Sequence, residues 1–402
     1  MNLQRNAIYQ TAEKAVHTIG GMLGMVLVAQ YLGREALADY GFAISLTAFF
    51  IPALDLGMNN RIIKAVAAGE DISETLEGVV AYKLGSAPLA VAMMIVGGLI
   101  LGSGQHVSAL VVLVGVSTAS MSFGDGASAV FKGLQKSHIS CWMITGLNVV
   151  LLGSLSCTML LGWGLVEVGW CYALSRLAYA VAAFLMLRRS IPTPRFSLRI
   201  GFDRKTIVDG LFHLPGIYYL GNLLSLTYLA TYVMSPGEAG VFYVGYRAAA
   251  ATYVLVSAGF EAVLASSVSS GQRPSGLGGW FVIYGVIALL LLYVAAPLVS
   301  YVFGESFAGS VRPIRLLASC VPTFALCGLG HTLLMAARYE RFGSGVLLAL
   351  LFAGFGMALS SEALFGPEAT ALVPAISSFF AMVVLWGGLS RHVKQVAVDR
   401  FL

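Results

Sequence analysis

The sequence predicts an all-α polytopic membrane protein, with about twelve transmembrane helices in two parallel six-helix lobes. Three observations carry that expectation. Hydrophobic residues make up 58% of the chain and charged residues only 11%, less than half the roughly 25% usual in soluble domains, and the mean hydropathy is +0.84. Apolar windows long enough to cross roughly 30 Å of hydrocarbon, about 20 residues each, recur twelve times along the sequence. The second half echoes the first at a displacement of 202 residues.

In order, the windows lie near 8–31, 37–60, 78–102, 107–131, 139–162, 165–187, 208–233, 237–263, 278–302, 309–336, 343–364 and 367–389. The polar stretch MNLQRN precedes the first. No basic n-region, short apolar core and small-residue cleavage site is present there, so the segment is expected to stay as a span. The connections LGREA, GSGQH and MSPGE are short and share one side. The other side collects Arg5, Arg61, Lys64, Lys132, Lys136, Arg188, Arg189, Arg195, Arg199, Arg204, Lys205, Arg273, Arg338, Arg341, Arg391, Lys394 and Arg400. This asymmetry predicts that both termini are cytoplasmic. It also explains the formal charge of +5 without a nucleic-acid partner.

The longest loop, Arg188 to Lys205, contains Pro192 and Pro194 and reads as a linker. The expected organisation is therefore a lobe over 1–187, a cytoplasmic linker over 188–207 and a second lobe over 208–402. The echo pairs Ala38 with Gly240, Tyr40 with Phe242, Ala173 with Ala375 and Ser175 with Ser377. An even number of helices per half orients both halves alike, and such parallel repeats place a transport site between them near the midplane.

Two arginines lie at that depth. Gly240, Tyr243, Arg247, Ala250 and Ala251 recur at helical steps, as do Gly169, Tyr172, Arg176, Tyr179, Ala180 and Ala183. A guanidinium stays protonated, and a charge at the bilayer centre costs at least about 2.5 kcal/mol. Arginine grips phosphoryl oxygens as a bidentate fork, and tyrosine adds a hydroxyl and a flat face. The faces therefore suit a ligand bearing phosphate and sugar. The competing expectation is neutralisation by acids or backbone carbonyls. However, Glu13, Asp55, Asp125 and Glu261 lie near the basic ends of their spans, Glu261 about 20 Å from Arg247 along one helix.

Those acids, with Lys14 and Lys83, form a shallow band that reads equally as a salt-bridge network or as a gate or coupling site. Lys14, His17, Gly21 and Gly24 share a face of the first span, where the two basic residues are candidates to receive ligand charge. Arg312 and Arg315, near the opposite end of the tenth span, are exit candidates or interfacial snorkelling residues. Asp125, His213 and His331 are titratable candidates for proton coupling. The five cysteines fall in apolar runs without metal or redox spacing and read as packing residues. No P-loop, H-E-x-x-H or G-x-S-x-G is present; neither a metal, a cofactor nor enzymatic activity is expected.

The stretches AQYLGREALADYGFAISL, LDLGMNNRIIKAVA, FKGLQKSHIS and EAGVFYVGYRAA, in this order along the chain, resemble the Wzx-type O-antigen flippases. These belong to the polysaccharide-transporter branch of the MOP exporter superfamily, with the lipid II flippases and MATE drug exporters. The resemblance implies a MATE-like pair of lobes around a V-shaped cavity. It also implies an undecaprenyl-pyrophosphate-linked oligosaccharide moved from the cytoplasmic to the periplasmic leaflet. Lys14 and Arg247 match places where lipid II flippases carry essential cations, and Arg61 the basic residue that commonly ends the second span. Those flippases add two helices that hold the lipid tail; with twelve spans, a lateral opening between the first and eighth is the expected alternative.

The leading expectation is thus a flippase working by alternating access, coupled to H+, Na+ or the membrane potential. Membrane lipids, and a polysaccharide polymerase and glycosyltransferases of the same pathway, are the expected partners. The alternatives are a MATE-type antiporter of cationic drugs, which calls for mid-depth carboxylates, and a membrane polymerase or glycosyltransferase, which calls for a larger extramembrane loop.

Overall fold

A computed structural model describes residues 3–101, 105–190, 236–257, 277–336 and 378–388, with a few positions between them. The linker beyond Ser190, the seventh span, Glu261 and most of the eleventh span lie outside the described residues. Nearly all that is described is helical.

The first two predicted spans form one continuous element, α1 (Leu3–Phe49), bent at Gly33. There φ is 87° and ψ is −179°, a region open essentially to glycine alone. The chain reverses at this point without a loop. The second span then breaks near its other end. A short α2 (Ile51–Asp55) is separated from α3 (Met58–Ala67) by Leu56 and Gly57, both at positive φ. Helix α3 buries Met58, Ile62, Ile63, Ala65 and Val66. The predicted boundary at residue 60 thus falls inside a separate amphipathic helix.

Helices α4 (Ile72–Leu101), α5 (Gln105–Gly133), α6 (Ser137–Leu160) and α7 (Leu165–Ser190) match the next four predicted spans. Asp71 caps α4 by accepting the backbone N–H groups of Ser73 and Glu74 at 2.7 and 3.3 Å. Gly162, at φ 70°, permits the tight turn into α7. The second half begins with α8 (Pro236–Ser257), the eighth span. Helices α9 (Leu277–Ala295) and α10 (Val299–Phe303), joined by a 3-10 turn, supply a ninth span over Val282–Phe303. A second 3-10 segment, Glu305–Ser310, leads to α11 (Val311–Ala318) and α12 (Cys320–Ala336), which form the tenth with a bend of 41°. Ser378–Gly388 is a short apolar helix, α13, inside the twelfth predicted window.

The outer faces are apolar too. Leu99, Trp142, Val149, Leu160, Trp163 and Trp170 are exposed, as expected where lipid rather than water is the solvent. Inside, α5 packs along α7 and α4, while α1 packs along α6 and across the halves on α8. One apolar cluster joins Met25, Tyr40 and Leu155 to Tyr243, Tyr246 and Phe324 of the second half. A second, at the basic end, gathers Met58, Ile62, Phe131 and Leu187 with Leu264 and Met335. A cavity lined by residues of both clusters lies among these helices.

Candidate functional site

The cavity measures about 320 Å³ and is walled by residues of α1, α2, α3, α5, α6, α7 and α8. Arg176 and Arg247 both line it. Each lies eleven residues after the start of its helix, Leu165 and Pro236, or about 16 Å in at 1.5 Å per residue. Among the described residues, no carboxylate lies within ion-pair distance of either arginine. Asp125 acts on Arg176 only through space, and the two guanidiniums repel each other.

Among the described residues, aromatic surfaces and close-lying backbone surround the guanidiniums in place of counter-ions. The Arg176 guanidinium carbon stands 5.4 Å from the centroid of the Tyr172 ring, within cation–π range, while its Nε is buried without a hydrogen-bond partner. Tyr172 and Tyr40 share a hydroxyl hydrogen bond of 2.6 Å, and the Tyr243 ring meets Tyr40 edge-on at 6.3 Å. Helix α1 turns glycine toward this cluster. A methyl group at Gly21 would lie 3.3 Å from Nη2 of Arg247, and one at Gly24 would lie 3.1 Å from the Tyr172 hydroxyl. The remaining polar lining includes Thr18, Thr47, Asn59, Thr118, Ser122 and Asn148. Hydroxyls and amides, with the Asp55 and Asp125 carboxylates farther along the wall, surround two guanidiniums that have no ion-pair partner among the described residues, a lining able to bind a hydroxyl-rich anion.

The structure divides the other residues singled out from the sequence. His17 joins Tyr172 and the arginines in the lining, its Nδ1 buried without a partner. Tyr179 and Tyr243 are absent from the lining. Tyr179 packs over Gly124 and donates a 3.0 Å hydrogen bond to Asp125, and Tyr243 packs on Gly41 and is 1% exposed. Tyr40 and Tyr246 take their places. Lys14 lies just short of His17 on α1, half-buried and outside the lining.

The shallow charged band resolves into two clamps within the first half. Glu13 accepts a 3.0 Å ion pair from Lys132 and a 2.7 Å hydrogen bond from Ser140, tying α1 to α5 and α6. Lys83 bridges Asp55 at 3.1 Å, the Asn59 side-chain carbonyl at 3.1 Å and the Ser122 carbonyl at 2.5 Å, tying α4 to α2, α3 and α5. Asp55 and Asp125 also reach the cavity wall. Arg312 is exposed, and Arg315 lies 4.6 Å from the Tyr293 ring centroid on the neighbouring α9. Neither lines the cavity.

Glycines bring α1 and α8 together at several points: Gly240 meets the Arg34 carbonyl at the bend, Gly41 of the second predicted span the Tyr243 ring, and Gly21 of the first the Arg247 guanidinium. All five cysteines are free thiols, and no group of three or more metal-ligating side chains occurs among the described residues.

Similarity to known proteins agrees with this arrangement. The model of a family described as polysaccharide biosynthesis protein matches residues 3–214. Among solved structures, the MATE multidrug transporter DinF-BH, solved as a complex, superposes with a TM-score of 0.76 at 12% identity, over 97% of this chain and 95% of that one. An outward-facing multidrug resistance MATE family transporter of the MOP superfamily gives 0.72 at 15% identity, over 99% and 96%. A MATE in complex with MaL6 gives 0.72 at 14%, over 100% and 97%. No curated protein matches the chain. The architecture is thus the twelve-helix fold of the MATE transporters, built on a polytopic membrane chain, and with its first half and beyond covered by the family model, the protein belongs to the polysaccharide biosynthesis protein family.

Proposed function

We propose that the protein is a flippase for a lipid-linked oligosaccharide. An undecaprenyl-pyrophosphate-linked repeat unit of O-antigen or a related surface polysaccharide passes from the cytoplasmic to the periplasmic leaflet of the inner membrane. One observation carries the reading: Arg176 and Arg247 open onto the cavity at mid-depth with no carboxylate within ion-pair distance among the described residues. The pyrophosphate binds these two guanidiniums, and His17, Tyr172, Tyr40, Asn148 and Thr118 face the sugar. The wall spares the glycan hydroxyls the several kcal/mol that each unpaired polar group pays in hydrocarbon. The lobes then rock to expose the site to the other leaflet, driven by a proton, a sodium ion or the membrane potential. At about 320 Å³ the cavity is near the lower end of the roughly 300–1,000 Å³ of drug-sized sites, so a full repeat unit requires the lobes to part further.

Complementation of a flippase-deficient strain tests the assignment. Arg247→Ala and Arg176→Ala each abolish long-chain surface polysaccharide at normal protein level, and Arg247→Lys restores part of it, since an ammonium keeps the charge but not the bidentate fork. Normal polysaccharide from both alanine variants overturns the roles given to these residues. A cation-coupled drug antiporter is the second reading, favoured by Asp125 at the cavity wall. On that reading the expressing strain tolerates cationic drugs and loses the tolerance with Asp125→Asn.

A further inference from the structure

Helices α5 and α7 wall a second concavity on their opposite faces. It is a groove of about 790 Å³ with α4 on one side, α7 on the other and α5 as its floor. Where α5 turns Thr118, Met121, Ser122 and Asp125 to the central cavity, it turns Val116, Ala119, Ser120 and Phe123 to the groove. The lining is otherwise apolar except for Arg188 at one end, and among the described residues no carboxylate contributes to it.

We propose that this groove is a binding site for an anionic membrane phospholipid, with an acyl chain along α5 and the headgroup phosphate on Arg188. Three features select this occupant. Along α7 the groove runs from Leu177 to Arg188, eleven residues or about 16 Å, which is one leaflet of a hydrocarbon core roughly 30 Å thick. Its mouth is at the basic end, where the exposed Arg188 and Arg189 stand side by side and an anionic lipid surface is attracted. Its depth comes from small side chains, Ala87, Ala119 and Ala180, each nine-tenths or more buried. The transported lipid is not the occupant, because α5, packed along α7, separates the groove from Arg176 and Arg247. A lipid seated here braces from behind the two helices that carry Asp125 and Arg176.

The test uses the purified full-length protein and two probes, phosphatidylglycerol and phosphatidylethanolamine with identical chains. Native mass spectrometry finds phosphatidylglycerol retained in preference. Arg188→Gln lowers that preference about five-fold, the factor that one interfacial basic residue supplies, whereas Lys136→Gln leaves it unchanged. Phosphatidylglycerol with a photoactivatable acyl chain cross-links, in the unaltered protein, to the α4, α5 and α7 peptides that line the groove. Ala119→Phe, which fills the groove, removes those cross-links. Equal retention of the two lipids, or cross-links that fall elsewhere, overturns the proposal. So does a polyprenyl phosphate that displaces phosphatidylglycerol from the same peptides.

Discussion

At the residue scale, the question is how a guanidinium stays at mid-membrane with no carboxylate in ion-pair distance among the described residues, when its charge there costs at least about 2.5 kcal/mol. Around Arg247 stand Tyr40, Tyr172, Tyr243 and Tyr246, and the bare backbone of α1 at Gly21 lies against its Nη2. Gly21 is accordingly a steric sensor of the arginine's position. Valine there pushes Nη2 out of its place, and on the proposed function polysaccharide export falls at least ten-fold while the melting temperature of the purified protein changes little. Gly146→Val, at a position with open space around it, leaves export intact, and equal behaviour of the two variants refutes the positioning role of Gly21. The two arginines were legible in the sequence because a permanent cation inside an apolar run has few physical explanations. Tyr40, Tyr246 and Asn148 were not, since an uncharged polar residue in a membrane helix is commonplace. Of the tyrosines one turn from each arginine, Tyr172 reaches the cavity, but Tyr243 and Tyr179 misled for a related reason. Helical spacing shares out a face, but the neighbours decide what that face meets, and here they direct Tyr243 onto Gly41 and Tyr179 onto Asp125.

At the scale of elements, two buried ion pairs hold the first half together near its basic end. The Lys83 ammonium, on a residue only 2% exposed, ties α4 to α2, α3 and α5 through Asp55, Asn59 and the Ser122 carbonyl. Removing one member of such a pair strands the other charge and costs about 3–5 kcal/mol, whereas removing both is often close to neutral. Lys83→Met therefore lowers the thermal stability of the purified protein sharply, and adding Asp55→Leu recovers most of the loss. If the double variant is as unstable as the single one, Lys83 is held by its carbonyl contacts rather than by the charge pair. The sequence marked these residues as a charged band but could not sort them into pairs, because the second span was expected to run unbroken to about residue 60, with no separate helix over Met58–Ala67. The break at Leu56 and Gly57 carries no strong signature: leucine at positive φ is uncommon, and tertiary packing imposes it. The bend at Gly33 was better signposted, since glycine between two apolar runs is where a chain reverses.

At the scale of the whole molecule, the two halves meet through different chemistry at the two ends. At the basic end the contacts among the described residues are between side chains, with Leu264 and Met335 packed among Met58, Ile62 and Phe131, a packing that can rearrange when helices shift. At the other end they run through glycines. Gly240 lies against the Arg34 carbonyl, Gly237 against the Arg34 side chain, Gly41 under the Tyr243 ring, and Gln30 donates a 2.8 Å hydrogen bond to the Val302 carbonyl. A seam of glycines has little freedom to accommodate a wedge, because a Cβ at Gly240 would stand 2.6 Å from the Arg34 carbonyl oxygen. Gly240→Val therefore forces α1 and α8 apart at this end and shifts the population toward a state open there. In a cysteine-free background carrying Ala251→Cys on the cavity wall, a membrane-impermeant maleimide supplied from the non-basic side labels the Gly240→Val protein several-fold faster than its parent. Export falls at the same time, because a transporter held open to one side cannot complete its cycle. Unchanged labelling, with export intact, would mean that this seam stays shut throughout transport and that the lobes part along another line.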